Sequence, residues 1–114
     1  MQYYQTFSEL LINYKNLSYP GGIYIEGDKN TNFQSSKYWI LSDKEEKDEF
    51  WVETNFGKIP ESLKDFNVKP FLDVGTFQDI IENKLEHNSN LALENIKVFI
   101  EAIEYYLDND DFWD

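Results

Sequence analysis

The chain has no cysteine, no arginine and a single histidine among its 114 residues. The missing cysteine excludes disulfides, thiolate catalysis and cysteine-based zinc sites. All ten basic residues are lysines, so the side chain best suited to bidentate phosphate binding is also missing. No run of 18 apolar residues is present, and the sequence therefore predicts no membrane-spanning helix.

Basic charge is also scarce. Aspartate and glutamate total 22 against the ten lysines, which gives a formal net charge of -12. This sign disfavours direct binding to nucleic acid or to an anionic membrane, because both need a basic face. It favours a basic protein partner, whose approach the charge would steer, or it serves only to keep the protein in solution.

The acidity does not indicate disorder, because disordered acidic chains are poor in aromatic residues and this chain is 18% aromatic. The length, 1–114, is that of a single domain with enough apolar surface for one core. The N-terminal sequence has neither the basic start nor the apolar segment of a secretory signal. We therefore expect one folded domain in the cytoplasm.

Helical signals occur at both ends of the chain. Thr6 and Glu9 match a capping box, and apolar residues follow at helical spacing as far as Leu17. A similar pattern at 76–79 predicts the start of a second helix, which "HNSN" at 87–90 ends. A last helix carries an apolar stripe formed by Leu93, Ile96, Ile100, Ile103 and Leu107.

The middle of the chain predicts antiparallel strands. Three runs rich in β-branched and aromatic residues occupy 22–28, 37–43 and 48–56. The charged "KEEK" between the last two runs indicates a hairpin, with Trp39 and Trp51 on neighbouring strands. We expect an α+β fold with an N-terminal helix, a small antiparallel sheet of three or more strands, and two C-terminal helices packed on it.

No arrangement of residues in the sequence indicates catalysis. His87 stands where a helix should end, which is typical of a solvated histidine. Asp108 and the residues after it resemble the start of a calcium loop, but Trp113 stands where that loop needs glycine. Nucleophile-elbow and phosphate-loop sequences are missing. We therefore assign no catalytic residue, no cofactor and no metal ligand, and a small enzyme is the weakest of three function classes.

The C-terminal third carries a resemblance. "PFLDVGTFQDIIENKL" (70–85) and "IEAIEYYLDNDDFWD" (100–114) together resemble a segment of small acidic immunity proteins. Such proteins are encoded beside polymorphic bacterial toxins, including those of contact-dependent growth inhibition systems. The family pattern often ends in Ala-Phe, where this chain has the more acidic sequence 111–113. The resemblance implies a cytoplasmic protein that binds one cognate toxin, often a nuclease with a basic cleft, and blocks it.

Two acidic surfaces are candidates for the contact with that toxin. The hairpin patch comprises Glu45, Glu46, Asp48, Glu49 and Glu53. The tail patch comprises Glu101, Glu104, Asp108, Asp110, Asp111 and Trp113. We favour the tail patch slightly, because its acids accompany large aromatic residues that either contact the partner or fold back onto the helices.

The alternative function is that of a DNA mimic or acidic adaptor. Such a protein occupies the basic groove of a host nucleic-acid-binding protein instead of a toxin. The same charge and the same surfaces would serve both functions, so the sequence separates them only through the resemblance. The expected partner in either function is a basic protein, and the oligomeric state is left open.

Overall fold

A four-stranded antiparallel sheet lies between a layer of helices and a β-hairpin in a computed structural model that describes residues 1–27 and 36–111. The strands are β1 (Gln2–Tyr4), β2 (Gly21–Glu26), β3 (Lys37–Ser42), β4 (Trp51–Thr54), β5 (Gly57–Pro60) and β6 (Val68–Asp73). The α-helices are α1 (Phe7–Ile12), α2 (Asp43–Lys47), α3 (Val74–Glu86) and α4 (Ile96–Asn109). None of these helices is long and apolar enough to cross a membrane. The predicted α+β class is confirmed.

The larger sheet has the strand order β1-β3-β2-β6, and every neighbouring pair is antiparallel. Tyr3 lies opposite Trp39 in one row of the sheet, and Tyr4 lies opposite Tyr38 in the next. Since side chains alternate between the two faces along a strand, these two rows point to opposite sides. The sheet therefore has two apolar faces, and each of them needs a cover.

The helices cover the face that carries Tyr38. Phe7 of α1 packs against Tyr38 and against Phe77 of α3, with ring centroids 6.1 and 6.3 Å apart. Phe99 and Ile103 of α4 are fully buried in the same core. Burial of each such side chain stabilises the fold by about 1.5–3 kcal/mol, so this core holds α1, α3 and α4 on the sheet.

The other face is covered by β4, β5 and the turn that follows them. These two strands form a separate two-stranded sheet. Ile59 of β5 and the fully buried Leu63 pack on Tyr24 and Leu41 of the larger sheet, in a second core that includes Val68. The larger sheet is thus the middle of three layers.

Three of these four helices begin with the side-chain caps that acidic and hydroxyl residues provide. Thr6 caps α1 as predicted, since its hydroxyl accepts the N–H of Glu9 at 3.1 Å. The Glu9 carboxylate in turn accepts the N–H of Gln5 at 3.0 Å. The predicted start of α3 is wrong: Asp73 caps this helix by accepting the N–H of Thr76 at 3.1 Å, so α3 begins three residues early.

The first and last helices bury partly different residues from those predicted. α1 ends at Ile12, and the buried Leu17 follows a short 3₁₀ helix instead of lying on α1. In α4 the buried face centres on Phe99 and Ile103, whereas Leu107 is 48% exposed. The predicted stripe is therefore rotated on α4, because Phe99 takes the position against the helical core that Leu107 was expected to share.

The predicted hairpin between β3 and β4 is wrong. Ser42 starts a helix: its hydroxyl accepts the N–H of Glu45, and the Glu45 carboxylate accepts the N–H of Ser42, which completes a capping box. Helix α2 carries the chain out of the larger sheet, so β4 pairs with β5 instead. Trp51 consequently lies opposite Pro60 and not beside Trp39.

Candidate functional site

The hairpin patch and the tail patch lie on opposite layers of the fold. α4, which carries half of the tail patch, packs with the helices, whereas β4 and β5 cover the other face of the sheet. Glu46 of α2 also belongs to the hairpin side, because Tyr24 donates a hydrogen bond to it. A partner with a flat surface therefore contacts one patch or the other. Trp113 and Phe112 lie outside the described residues.

The tail patch is an exposed acidic helix face with little internal counter-charge. Glu104 and Asp108, one turn apart on α4, form no side-chain hydrogen bond or ion pair within the described residues. Glu101 is 3.9 Å from Lys97, an exposed ion pair of a kind that contributes less than about 1 kcal/mol. These carboxylates are therefore available to a partner.

Among the described residues of α4, two large apolar side chains are exposed near the charges of the tail patch. Tyr105 is 38% and Leu107 is 48% exposed. The helix ends at Asp110, whose φ of 55° lies in the left-handed region, and the exposed Asp111 follows it. What this surface offers is a row of carboxylates along a helix.

Three of the five carboxylates in the hairpin patch are bound within the protein. Glu45 caps α2 and also pairs with the N-terminal ammonium group. Glu46 accepts the hydroxyl of Tyr24 at 3.0 Å. Glu49 accepts the N–H of Ser62 at 3.1 Å and the hydroxyl of the same residue. These contacts fasten α2 and the start of the hairpin to the rest of the fold.

The internal contacts shift the pKa values of two neighbouring carboxyls in opposite directions. The hydrogen bond from the N-terminal ammonium group, followed by that from the Ser42 N–H, lowers the pKa of Glu45. Burial raises the pKa of Glu46, against the smaller opposing effect of the Tyr24 hydrogen bond, and the charge of Asp43 raises it further. Burial and the charge of Glu46 also raise the pKa of Tyr24, so its hydroxyl stays protonated and donates.

The remaining acids of the hairpin patch stand among exposed aromatic rings. Asp48 and Glu53 are exposed, and neither side chain forms a hydrogen bond or ion pair in the part of the chain that the structure describes. Phe50, Trp51 and Phe56 are 79%, 43% and 65% exposed. Carboxylates steer a basic partner, and aromatic side chains supply the buried anchors of protein interfaces. This hairpin presents both within one short stretch.

Sequence reasoning missed Phe50 and Phe56 as surface residues, because both fell inside a single predicted strand. Two signals could have found them. Gly57 directly follows the two-residue turn that contains Phe56, and its φ of 121° is a conformation that glycine adopts without strain. The Ser-x-x-Glu spacing at 42–45 is that of a capping box, which predicts a helix before the strand.

Further aromatic side chains lie on the same side of the larger sheet. Trp39 contacts Tyr3 and Phe66, with ring centroids 4.4 and 5.0 Å apart. Its Nε1 donates to the Glu26 carboxylate at 2.9 Å. Tyr3 and Phe66 are both partly exposed. The hairpin side of the molecule is therefore the more aromatic of its two outer surfaces in the described ranges.

A cleft of about 300 Å³ lies between β2, β6 and α2. Asp43, Glu46 and Asp73 line it beside the backbone of Gly21. A side chain at Gly21 would not fit, because its Cβ would lie 2.5 Å from the carbonyl oxygen of Leu41. Among the described residues, no three histidine, aspartate or glutamate side chains are placed to hold a metal ion, and we assign no metal to the cleft.

The single histidine has a role in ending a helix. His87 is the C-cap residue of α3 and is exposed, as predicted. Its Nδ1 lies 2.8 Å from the carbonyl oxygen of Asn83, which also accepts the backbone N–H of His87 at 3.2 Å. We therefore assign His87 to helix capping.

Comparison with known proteins identifies the family of this chain. No curated protein and no solved structure is significantly similar to it. Residues 4–114 match a sequence family described as a domain of unknown function, DUF7716. The matched range contains the hairpin and all four helices, and with them both acidic patches. The chain belongs to the DUF7716 family.

Proposed function

We propose that this protein is an inhibitor that binds the basic surface of a cognate bacterial toxin domain and masks it. The toxin we expect is a nuclease, whose cleft must be basic to hold a phosphate backbone. The protein would act in the cytoplasm, where such a toxin meets its substrate. The surface that makes the contact is the β4–β5 hairpin.

The observation that carries this proposal is the exposure of Phe50, Trp51 and Phe56 beside unpaired carboxylates. These three side chains stand within seven consecutive residues, 50–56, and exposed apolar surface of this kind is typical of interaction sites. Aromatic side chains are also the most frequent anchors of protein interfaces. Asp48 and Glu53 supply charge next to these rings without giving up an internal contact.

The net charge of -12 supports a basic partner over an acidic or neutral one. Long-range attraction speeds the encounter of oppositely charged proteins, and the effect weakens as salt screens it. The carboxylates on α4 contribute to this attraction although they face away from the hairpin. The association rate of the protein with its partner should therefore be high at low salt and should fall as the salt concentration rises.

The choice of a toxin as the partner rests on the resemblance carried by 70–85 and 100–114. In the fold these segments form most of β6, which lies in the larger sheet, and most of α3 and α4, which lie in the helical layer. They do not include the hairpin. The class of partner and the surface of contact are thus inferred from different parts of the chain. Either inference can be wrong while the other holds.

A second function is favoured by the shape of the tail patch. Glu101, Glu104 and Asp108 follow each other at helical spacing on one face of α4, which places neighbouring side chains about 5–6 Å apart. A regular row of negative charges resembles a phosphate backbone. An acidic adaptor or DNA mimic would use this face to occupy the basic groove of a host nucleic-acid-binding protein.

Co-expression tests the first function against the second. The tagged protein is produced together with the domain encoded by the gene immediately upstream, and the molar mass of the purified material is measured by light scattering. We expect a stoichiometric complex that survives moderate salt, and we expect the protein to restore growth of cells that express the upstream domain. If no complex forms and growth is not restored, toxin inhibition is contradicted. Co-purification of a defined host nucleic-acid-binding protein instead of the upstream-encoded domain would favour the DNA mimic.

A further inference from the structure

The hydrogen-bond pattern of the β4–β5 hairpin identifies which backbone groups of β4 face outward. The carbonyl oxygen of Phe50 accepts the N–H of Glu61 at 2.8 Å, so these two residues form a hydrogen-bonded pair. Bonded and non-bonded pairs alternate along antiparallel strands. Val52 and Thr54 are therefore in bonded pairs with β5, whereas Trp51 is not.

Pro60 supports this assignment. It lies opposite Trp51 and has no N–H to donate. In a hydrogen-bonded pair a proline would therefore lose one hydrogen bond of the sheet, whereas in a non-bonded pair it loses none. The pair of Glu53 and Lys58 is non-bonded by the same alternation. The N–H and C=O groups of Trp51 and Glu53 thus point away from β5.

The outer edge of β4 has no strand beside it among the described residues. β5 is its single neighbour in the two-stranded sheet, and no described residue hydrogen-bonds to the outward groups of Trp51 or Glu53. An exposed strand edge with unpaired donors and acceptors is a template for another strand. The side chains of the same two residues lie together on the exposed face of the hairpin.

We propose that β4 is the strand to which the partner adds an extended segment that carries lysine or arginine. This inference deepens the toxin-inhibitor function proposed above and depends on it. Main-chain hydrogen bonds to Trp51 and Glu53 would supply the pairing, and side chains on the exposed face would supply the selectivity. The partner residue opposite Glu53 is basic, and the residue two positions away, opposite Trp51, is apolar.

Charge complementarity selects this occupant over a second copy of the same chain. Each copy carries a net charge of -12, and a β4-to-β4 contact would bring two sets of Asp48 and Glu53 carboxylates together. Like charges at close range destabilise a cross-strand pairing, whereas opposite charges stabilise it. A basic extended segment meets the same edge without this repulsion.

Amide hydrogen exchange in the complex with the upstream-encoded domain tests the pairing residue by residue. In the free protein we expect the amides of Trp51 and Glu53 to exchange fast, and those of Val52 and Thr54 to exchange slowly. In the complex, exchange at Trp51 and Glu53 should slow by about tenfold or more. The amides of Val52 and Thr54, which already bond to β5, provide the internal control.

A pair of substitutions at one position separates the backbone from the side chain. Glu53→Gln removes the charge and keeps the outward N–H, whereas Glu53→Pro removes both. Proline is tolerated on an edge strand where the N–H faces outward. We expect Glu53→Pro to bind the upstream-encoded domain about three- to tenfold more weakly than Glu53→Gln, which is the range for one lost backbone hydrogen bond.

The outcomes distinguish the inference from the function on which it rests. An intact complex in which the two outward amides exchange as before would overturn strand addition and leave toxin inhibition standing, even where Glu53→Pro does not fold. A missing complex would overturn the proposed function and strand addition together. Concentration-dependent protection of the same amides without any partner would show that a second copy occupies the edge, and the basic segment would be the wrong occupant.

Discussion

The outward face of α4 and the outward face of the β4–β5 hairpin are both acidic, yet they differ in their backbone groups and in the number of exposed aromatic rings beside the charge. On α4 the backbone is satisfied inside the helix, and the carboxylates of Glu104 and Asp108 accompany one exposed aromatic ring, that of Tyr105. On the hairpin, aromatic rings and outward backbone groups stand beside the carboxylates. Acidic charge alone indicates only that the partner is basic, whereas the place of contact also needs apolar anchors.

The largest effect we expect concerns the two sides of α4. Ile103→Ala removes a fully buried side chain from the main core and should lower the free energy of unfolding by about 2–5 kcal/mol. Leu107→Ala, on the same helix but 48% exposed, should change it by no more than about 0.5 kcal/mol. Urea unfolding measures both variants. Equal losses would contradict the orientation of α4 and return Leu107 to the core.

The next effect compares the aromatic residues of the two surfaces. Trp51→Ala should weaken binding of the upstream-encoded domain by about 2 kcal/mol or more, as expected for a central anchor. Tyr105→Ala should weaken it by less than about 1 kcal/mol, because the proposed contact is made by the hairpin and not by α4. Calorimetry at a temperature where both variants are folded gives the two affinities. A larger loss from Tyr105→Ala would place the contact on α4.

A matched pair of charge variants separates steering from contact. Asp48→Asn with Glu53→Gln, and Glu104→Gln with Asp108→Asn, each remove two negative charges, so the net charge of the two variants is the same. Both should slow association at low salt by on the order of a few-fold. The hairpin variant alone should also dissociate faster, since contacts act mainly on the dissociation rate. Stopped-flow and surface-binding kinetics check this, and faster dissociation of the α4 variant would contradict it.

The smallest effect concerns pH and Glu46. Because burial raises the pKa of Glu46, its charged form opposes folding above that pKa, and protonation relieves the cost as pH falls. Glu46→Gln keeps an acceptor for the Tyr24 hydroxyl without the charge. It should therefore raise the free energy of unfolding at pH 7 by less than about 1 kcal/mol, since the group is only partly buried. The gain should shrink as the solution is made more acidic.

Glu45→Gln is the matched control for the pH experiment. Its contacts lower the pKa of Glu45, so the charged form supports folding above the unfolded pKa and the support is lost as pH falls through the lowered value. Glu45→Gln should therefore destabilise the protein at pH 7, with the opposite sign to Glu46→Gln. Thermal unfolding across this pH range measures both. The same sign for the two variants would contradict the opposed environments of these neighbours.

The elements that sequence reasoning found were those with a local signal. The Thr6 cap, the helical periodicity of the C-terminal third and the break near His87 depend on residues a few positions apart. Asp73 was missed as the cap of α3 because Thr76 is also a residue that caps helices, and an acid, Asp79, follows it at the spacing of a capping box. Local competition of this kind shifts an element boundary without changing the element.

The elements that sequence reasoning missed depend on distant partners. β1 is three residues long and exists because Tyr3 and its neighbours pair with β3, more than 30 positions away. β4 pairs with β5 instead of β3 because α2 lies between β3 and β4. The capping box that starts α2 separates two sequence runs that otherwise resemble the strands of one hairpin. The candidate site also depends on distant contacts in part. Its acidic residues were predicted from the sequence, whereas the exposure of Phe50 depends on where the hairpin packs in the fold.

The hydrogen-exchange footprint of the complex with the upstream-encoded domain, measured on peptides from both surfaces, tests directly whether the hairpin makes the contact. If it does, exchange slows in peptides that cover 48–56 and stays unchanged in peptides that cover 96–109. Protection confined to 96–109, with the hairpin exchanging as in the free protein, would contradict a contact through the hairpin and assign it to the acidic face of α4.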